Sequence, residues 1–63
     1  MNKNQKRWLN PKELFEEFGF TVANQAIMRM DKRIPFSKIG KYIRYDRIEI
    51  EKWLENHAVV KAV

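Results

Sequence analysis

The 63-residue chain has no cysteine. That excludes disulfides and thiolate-held metal, and it suits a reducing, cytoplasmic setting. Histidine and serine occur once each, as His57 and Ser37. No acid–base–nucleophile set can be assembled around them, and metal ligands are too few for a site. Neither catalysis nor a cofactor is expected. No apolar run approaches the roughly 20 residues that span a bilayer, so no membrane partner is expected. The opening MNKNQKR is polar with no apolar stretch behind it, unlike a secretory leader. Sixty-three residues make one domain, near the lower limit for folding without staples.

What is abundant is aromatic bulk and positive charge. Two tryptophans, four phenylalanines and two tyrosines are enough for a small compact core. The chain carries 13 Lys and Arg against 8 Asp and Glu, a net charge of +5. Residues 29–47 hold Arg29, Lys32, Arg33, Lys38, Lys41, Arg44 and Arg47 against only Asp31 and Asp46. That segment carries the whole excess, and the remainder nets zero. A concentrated cationic segment reads as the footprint of a polyanion.

Helix signals are strong and local. In LNPKELFEEF, Asn10 is a good N-cap, Pro11 fits the first helical position, and Glu13 completes a capping box. Leu9 and Leu14 have the spacing of a hydrophobic staple. Leu14, Phe15 and Phe18 share a face, and Gly19 closes the helix. Thr21 caps a second helix beginning at Val22. At 100° per residue, Ala23, Ala26, Ile27 and Met30 fall on one face, expected to be core. Asn24, Gln25, Met28 and Lys32 fall opposite, with Arg29 on the flank. Two short helices joined by GFT make a helix-turn-helix pattern, or more plainly an αα-hairpin.

Pro35 ends the territory of the second helix. SKIGKYIRYD then predicts a β-hairpin around Gly40. A two-residue Gly-Lys turn pairs Ile39 with Tyr42. A three-residue loop pairs Ile39 with Ile43, turning Ile39, Ile43 and Tyr45 inward and Lys38 and Arg44 outward. The second register gives cleaner alternation and is preferred. Either leaves a basic edge suited to a phosphate backbone. A third helix follows, with Asp46 and Glu49 as a capping box and Tyr45 and Ile50 as its staple. Ile50, Trp53, Leu54 and, at its end, His57 are expected to make its buried stripe, and Glu49, Glu51 and Glu55 its acidic outer face. Trp8 and Trp53 read as core. The expected organisation is a flexible basic arm (1–7), a domain (8–57) and a tail (58–63). The fold class is α+β, mainly α: two short helices, a two-stranded hairpin wing and a third helix.

WLNPKELFEEFGF, RIPFSKIGKYIRYD and EIEKWL together resemble the small winged helix-turn-helix family of phage excisionases and AlpA-type prophage regulators. That family is related more distantly to the MerR-type DNA-binding head. The resemblance covers about residues 8–54. It implies a second helix in the major groove and a wing on the minor groove or its phosphates. Carried onto this chain, the base readers are Asn24, Gln25, Met28 and Arg29, and the wing contacts are Lys38, Lys41, Tyr42 and Arg44. Thr21, Lys32, Arg33 and Arg47 complete the expected backbone contacts. One position departs from the family: Gln25, six residues after Gly19, stands where the family carries an apolar side chain.

The carboxamides of Asn24 and Gln25 suit adenine edges, unless they are merely solvated. Met28 either joins the rim of the core or meets a thymine methyl. Arg29 either pairs with Glu16 or Asp31 or reaches phosphate or guanine. Tyr42 either packs along the wing or touches sugar and phosphate. The resemblance implies a double-stranded DNA-binding protein of a bacterial mobile element, cytoplasmic and nucleoid-associated. Its foremost role would be that of an excisionase directing a site-specific recombinase, with further copies of itself on adjacent sites. A transcriptional regulator is the alternative, and an RNA- or protein-binding module a third.

Overall fold

The computed structural model describes residues 6–59. Three helices and a three-stranded antiparallel sheet make an α+β fold that is mainly α. Strand β1 is Trp8–Leu9, helix α1 Pro11–Phe18 and helix α2 Val22–Met30. Strand β2 is Ser37–Ile39, strand β3 Tyr42–Asp46 and helix α3 Arg47–Asn56. No described helix is long and apolar enough to cross a membrane.

The N-caps form at Asn10, Thr21 and Asp46, the residues the sequence marks. Asn10 Oδ1 accepts from the Glu13 amide at 2.7 Å, and Glu13 Oε1 accepts from the Asn10 amide at 2.9 Å. Gly19, at φ 87°, donates its amide to the Phe15 carbonyl and closes α1. Thr21 Oγ1 accepts from the Asn24 amide and starts α2. Asp46 caps α3 through the Ile48 amide. The expected reciprocal bond from Glu49 does not form there. Asp46 is instead engaged by Arg7, whose Nε and Nη2 donate to its two carboxylate oxygens at 3.2 and 3.1 Å. Glu49 lies 3.7 Å from Lys52.

The β2–β3 register differs from the preferred expectation. Ile39 pairs with Tyr42, Lys38 with Ile43 and Ser37 with Arg44, across the two residues Gly40-Lys41. Gly40, at φ 58°, supplies the left-handed first residue of this tight connection. Ile39 consequently points outward with Tyr42 and Arg44, and is 74% exposed. Alternation favoured burying Ile39, but the sheet gains its inward residues from a third strand. Leu9 of β1 pairs with Tyr45, and both are fully buried. Trp8, opposite Asp46, falls on the outer face and is half exposed, contrary to its expected place in the core.

The core is Leu9, Leu14, Ile34, Tyr45 and Ile50, edged by Phe18, Phe20, Met28, Ile43 and Trp53. Both expected staples, Leu9 with Leu14 and Tyr45 with Ile50, lie within it. His57 is exposed at the end of α3, its Nδ1 2.8 Å from the Trp53 carbonyl oxygen.

The second helix is turned the other way from its apolar pattern. Gln25 is fully buried, whereas Ile27 is 52% and Met30 80% exposed, and Ala23 and Ala26 are also exposed. Gln25 Nε2 donates to the Pro11 carbonyl oxygen at 3.0 Å and to the Phe20 carbonyl oxygen at 2.7 Å. These two bonds tie α2 to the first turn of α1 and to the link between the helices. Buried backbone carbonyls need donors, and no apolar side chain could supply them.

Arg47 is the second buried polar anchor. Its Nε donates to the Lys6 carbonyl oxygen at 2.7 Å, and its amide to the Arg7 carbonyl oxygen, also at 2.7 Å. Nη1 and Nη2 donate to the two carboxylate oxygens of Glu17, the latter at 3.1 Å. Lys6 in turn pairs with Glu13 at 2.7 Å. Lys6 and Arg7 of the expected flexible arm are therefore held against the domain, while residues 1–5 lie outside the described residues.

Gln25→Ala should lower stability by about 1–3 kcal/mol, because it removes two hydrogen bonds and leaves the Phe20 carbonyl without its donor. A thermal melt should fall by at least about 5 °C. Arg47→Ala should cost about 2–3 kcal/mol, toward the lower end for a broken buried pair, because Glu17 can rehydrate. A melt within 2 °C of wild type, a tolerance of about a quarter of a kcal/mol, would contradict either assignment.

Acid should unfold the protein for a related reason. Arg47 holds Glu17 below the usual carboxylate range, Arg7 does the same to Asp46, and Lys6 with the Asn10 amide to Glu13. A depressed folded value means stability that is complete above the unfolded values, near about 4, and lost as pH falls through the folded ones. Melting temperature should therefore drop below about pH 4, and less steeply in Glu17→Gln.

Candidate nucleic-acid interface

The cations of residues 29–47 divide into bound and free. Arg47 was expected on phosphate, but it is buried and its guanidinium is committed to Lys6 and Glu17. Arg29 was expected at bases. It is part-buried, and its Nη1 donates to Tyr45 Oη at 2.6 Å, bracing α2 against β3. Burial pushes the Tyr45 phenol up, and the Arg29 bond partly offsets this. Arg33 is exposed and pairs with Asp31 at 3.1 Å. Among the described residues, Lys32, Lys38, Lys41 and Arg44 make no ion pair.

Lys38, Lys41 and Arg44 lie on the β2–β3 pair, Lys38 on the face of Ile43 and not, as expected, on that of Arg44, while Lys32 lies beside Glu49 and Lys52 of α3. Lys41 sits in the tight connection, its Nζ 6.0 Å from the centre of the Tyr42 ring. The Arg44 guanidinium is 5.8 Å from the same centre, and its Nη1 donates to the Ile43 carbonyl oxygen at 2.7 Å. Tyr42 is 58% exposed between them. On the same outer face, Trp8, Ser37, Ile39 and Arg44 line a shallow hollow. Arg7 stacks over Trp8 at 5.1 Å. A cation held near an aromatic face is partly ordered yet keeps its charge toward solvent.

Lys32 has a different setting. It takes a left-handed φ of 56° just past Asp31, the C-cap of α2. Its amide donates to the Arg29 carbonyl at 3.0 Å, and the Arg33 amide to the Met28 carbonyl at 2.8 Å. That is the Schellman arrangement, which normally places glycine at this point.

Of the four residues expected to read bases, Asn24 alone is exposed on α2. Gln25 is inside, which removes it as a reader for the reason given above. Met28 packs against the core rim and Arg29 is braced on Tyr45. The face presented by α2 is instead Ala23, Ala26, Ile27 and Met30, edged by Val22, Asn24 and the exposed Thr21. Residue spacing delineates this arc but not its direction. The available signal was the glutamine six residues after Gly19, a polar residue at a position that the sequence resemblance expects to be apolar. α2 holds no acidic residue, whereas α3 exposes Glu49, Glu51 and Glu55. Among the described residues no cluster of three or more His, Asp or Glu could hold a metal.

Comparison with known proteins finds no matching family model, no matching curated protein and no matching solved structure.

Lys32→Gly should separate folding from polyanion binding. Relief of the left-handed strain, less the entropy of glycine, should stabilise the fold by about 0.5–1 kcal/mol. Loss of the cation should weaken duplex binding and reduce the salt slope by about 1. A variant that melts lower than wild type would contradict the cap assignment.

Proposed function

We propose that the chain is a sequence-specific double-stranded DNA-binding protein built as a winged helix-turn-helix. In this reading α1 and α2 form the helix-turn-helix unit, α2 enters the major groove, and the β2–β3 pair is the wing. The observation that carries it is the unpaired cationic set Lys32, Lys38, Lys41 and Arg44, together with an exposed α2 that bears no carboxylate. Phosphates supply the counter-charge that the protein itself withholds from these four groups. In this reading Thr21 and Tyr42 add neutral backbone contacts, and Asn24 a base contact.

Within this class, the sequence resemblance favours an excisionase-like architectural factor over an AlpA-like regulator. An excisionase binds repeated sites and directs a recombinase. A regulator binds the promoter upstream. Footprinting on the ends of the element that carries the gene, and on that promoter, separates the two. Protection at the ends alone supports the first.

Salt dependence tests the electrostatic part. With seven cations reduced to four free ones, the slope of log K against log salt should be about −3 to −4. Lys41→Ala should weaken binding to all duplexes alike and bring the slope about one unit closer to zero. A wild-type slope near −1 would contradict the phosphate interface.

A further inference from the structure

The outward arc of α2 is an unusual surface for a polar partner. Ala23, Ala26, Ile27 and Met30 span about 100° of the helix circumference. All four are exposed, Ile27 at 52% and Met30 at 80%, with Val22 at 52% on one edge. None carries a side-chain donor, and the Met30 thioether is only a weak acceptor. The polar side chains that could have hydrogen-bonded point elsewhere: Gln25 is spent on Pro11 and Phe20, and Arg29 on Tyr45. Asn24 remains at the edge.

In the major groove, base pairs differ by their donors, their acceptors and one apolar group, the C5 methyl of thymine. An arc without donors or strong acceptors matches that methyl best. The two alanines let the helix backbone approach the groove floor closely, and Ile27 and Met30 extend on the same face. We propose, building on the duplex-binding reading above, that this arc selects thymine-rich major grooves by packing on thymine methyl groups. Charge complementarity favours DNA as the occupant. Beyond Met30 the C-cap Asp31 is paired with Arg33, Lys32 between them makes no ion pair among the described residues, α2 itself has no acidic residue, and the chain carries +5. A second copy docked on the arc would bring two such cationic chains together.

The test uses the full chain and synthetic duplexes at one fixed salt concentration, read by fluorescence anisotropy. Alternating poly(dA-dT) is compared with alternating poly(dA-dU), which differs only by the methyl. Alternating poly(dG-dC) is compared with its 5-methylcytosine form, which restores the methyl on another base pair. Two covered methyl groups should make the thymine polymer bind about tenfold more tightly than the uracil polymer. Methylation of cytosine should tighten binding in the same direction. Ile27→Ser and Met30→Ser, both at exposed positions, should shrink the thymine–uracil ratio toward one and leave the salt slope unchanged. Equal affinity for the thymine and uracil polymers would overturn the methyl-reading proposal while leaving duplex binding intact. Failure to bind any of the four duplexes, or tighter binding to phosphatidylserine vesicles than to all of them, would overturn the duplex reading as well.

Discussion

The side-chain amide of Gln25 is the interaction on which the rest of the structure turns. Its two hydrogens satisfy the Pro11 and Phe20 carbonyls, one at the start of α1 and one in the link to α2. A buried group with two N–H donors sets direction as well as distance, because each donor must meet its own lone pair. That requirement rotates α2 so that residue 25 faces inward, with Met28 following it at the next turn. The arc of Ala23, Ala26, Ile27 and Met30 is thereby turned to solvent. Gln25 Oε1 is buried without a partner. The arrangement therefore carries a desolvation cost, offset by the two carbonyls it satisfies.

Arg47 does for the sheet side what Gln25 does for the helix pair. A short chain has few apolar contacts with which to hold its N-terminal strand. Here β1 is two residues long and is secured by the Arg47 amide on Arg7, the Arg47 guanidinium on Lys6 and the Arg7–Asp46 pair. Charged groups in these roles are removed from the pool that can meet an external anion. Sorting the cations of residues 29–47 by their internal partners is thus the step from net charge to an interface.

Much of the fold was legible because its signals are local. Asn10, Pro11, Glu13, Gly19, Thr21 and Asp46 each act on backbone within three or four residues, and each cap forms. The hydrophobic staples are local in the same sense. Three features involve distant partners and were not legible. The direction of α2 depends on carbonyls 5 and 14 residues before Gln25. The β2–β3 register is one of the two that the hairpin allowed, and with Leu9 of β1 paired to Tyr45 the inward face is filled without Ile39. The burial of Arg47 depends on Glu17, 30 residues earlier, and on Lys6, 41 residues earlier. For the candidate interface, the cationic segment and its tight connection at Gly40-Lys41 were visible in the sequence. The division of its arginines into bound and free was not. For α2 and Arg47 an apolar or charged pattern was read by its commonest use, and a hydrogen-bond requirement elsewhere in the chain overrode it.

The central claim is that a buried Gln25 directs the apolar arc of α2, together with the free cations beside it, onto duplex DNA. An NMR titration of the isotopically labelled chain with an A·T-rich duplex tests it most directly. The account predicts that the Gln25 side-chain amide gives two resolved signals protected from solvent exchange, unchanged in the complex. Shifts should concentrate at Ala23, Asn24, Ile27, Met30, Lys41 and Tyr42, with the α3 face of Glu51 and Glu55 unaffected. A Gln25 side chain that exchanges like free glutamine, or shifts that cluster on α3 while α2 stays silent, would contradict it.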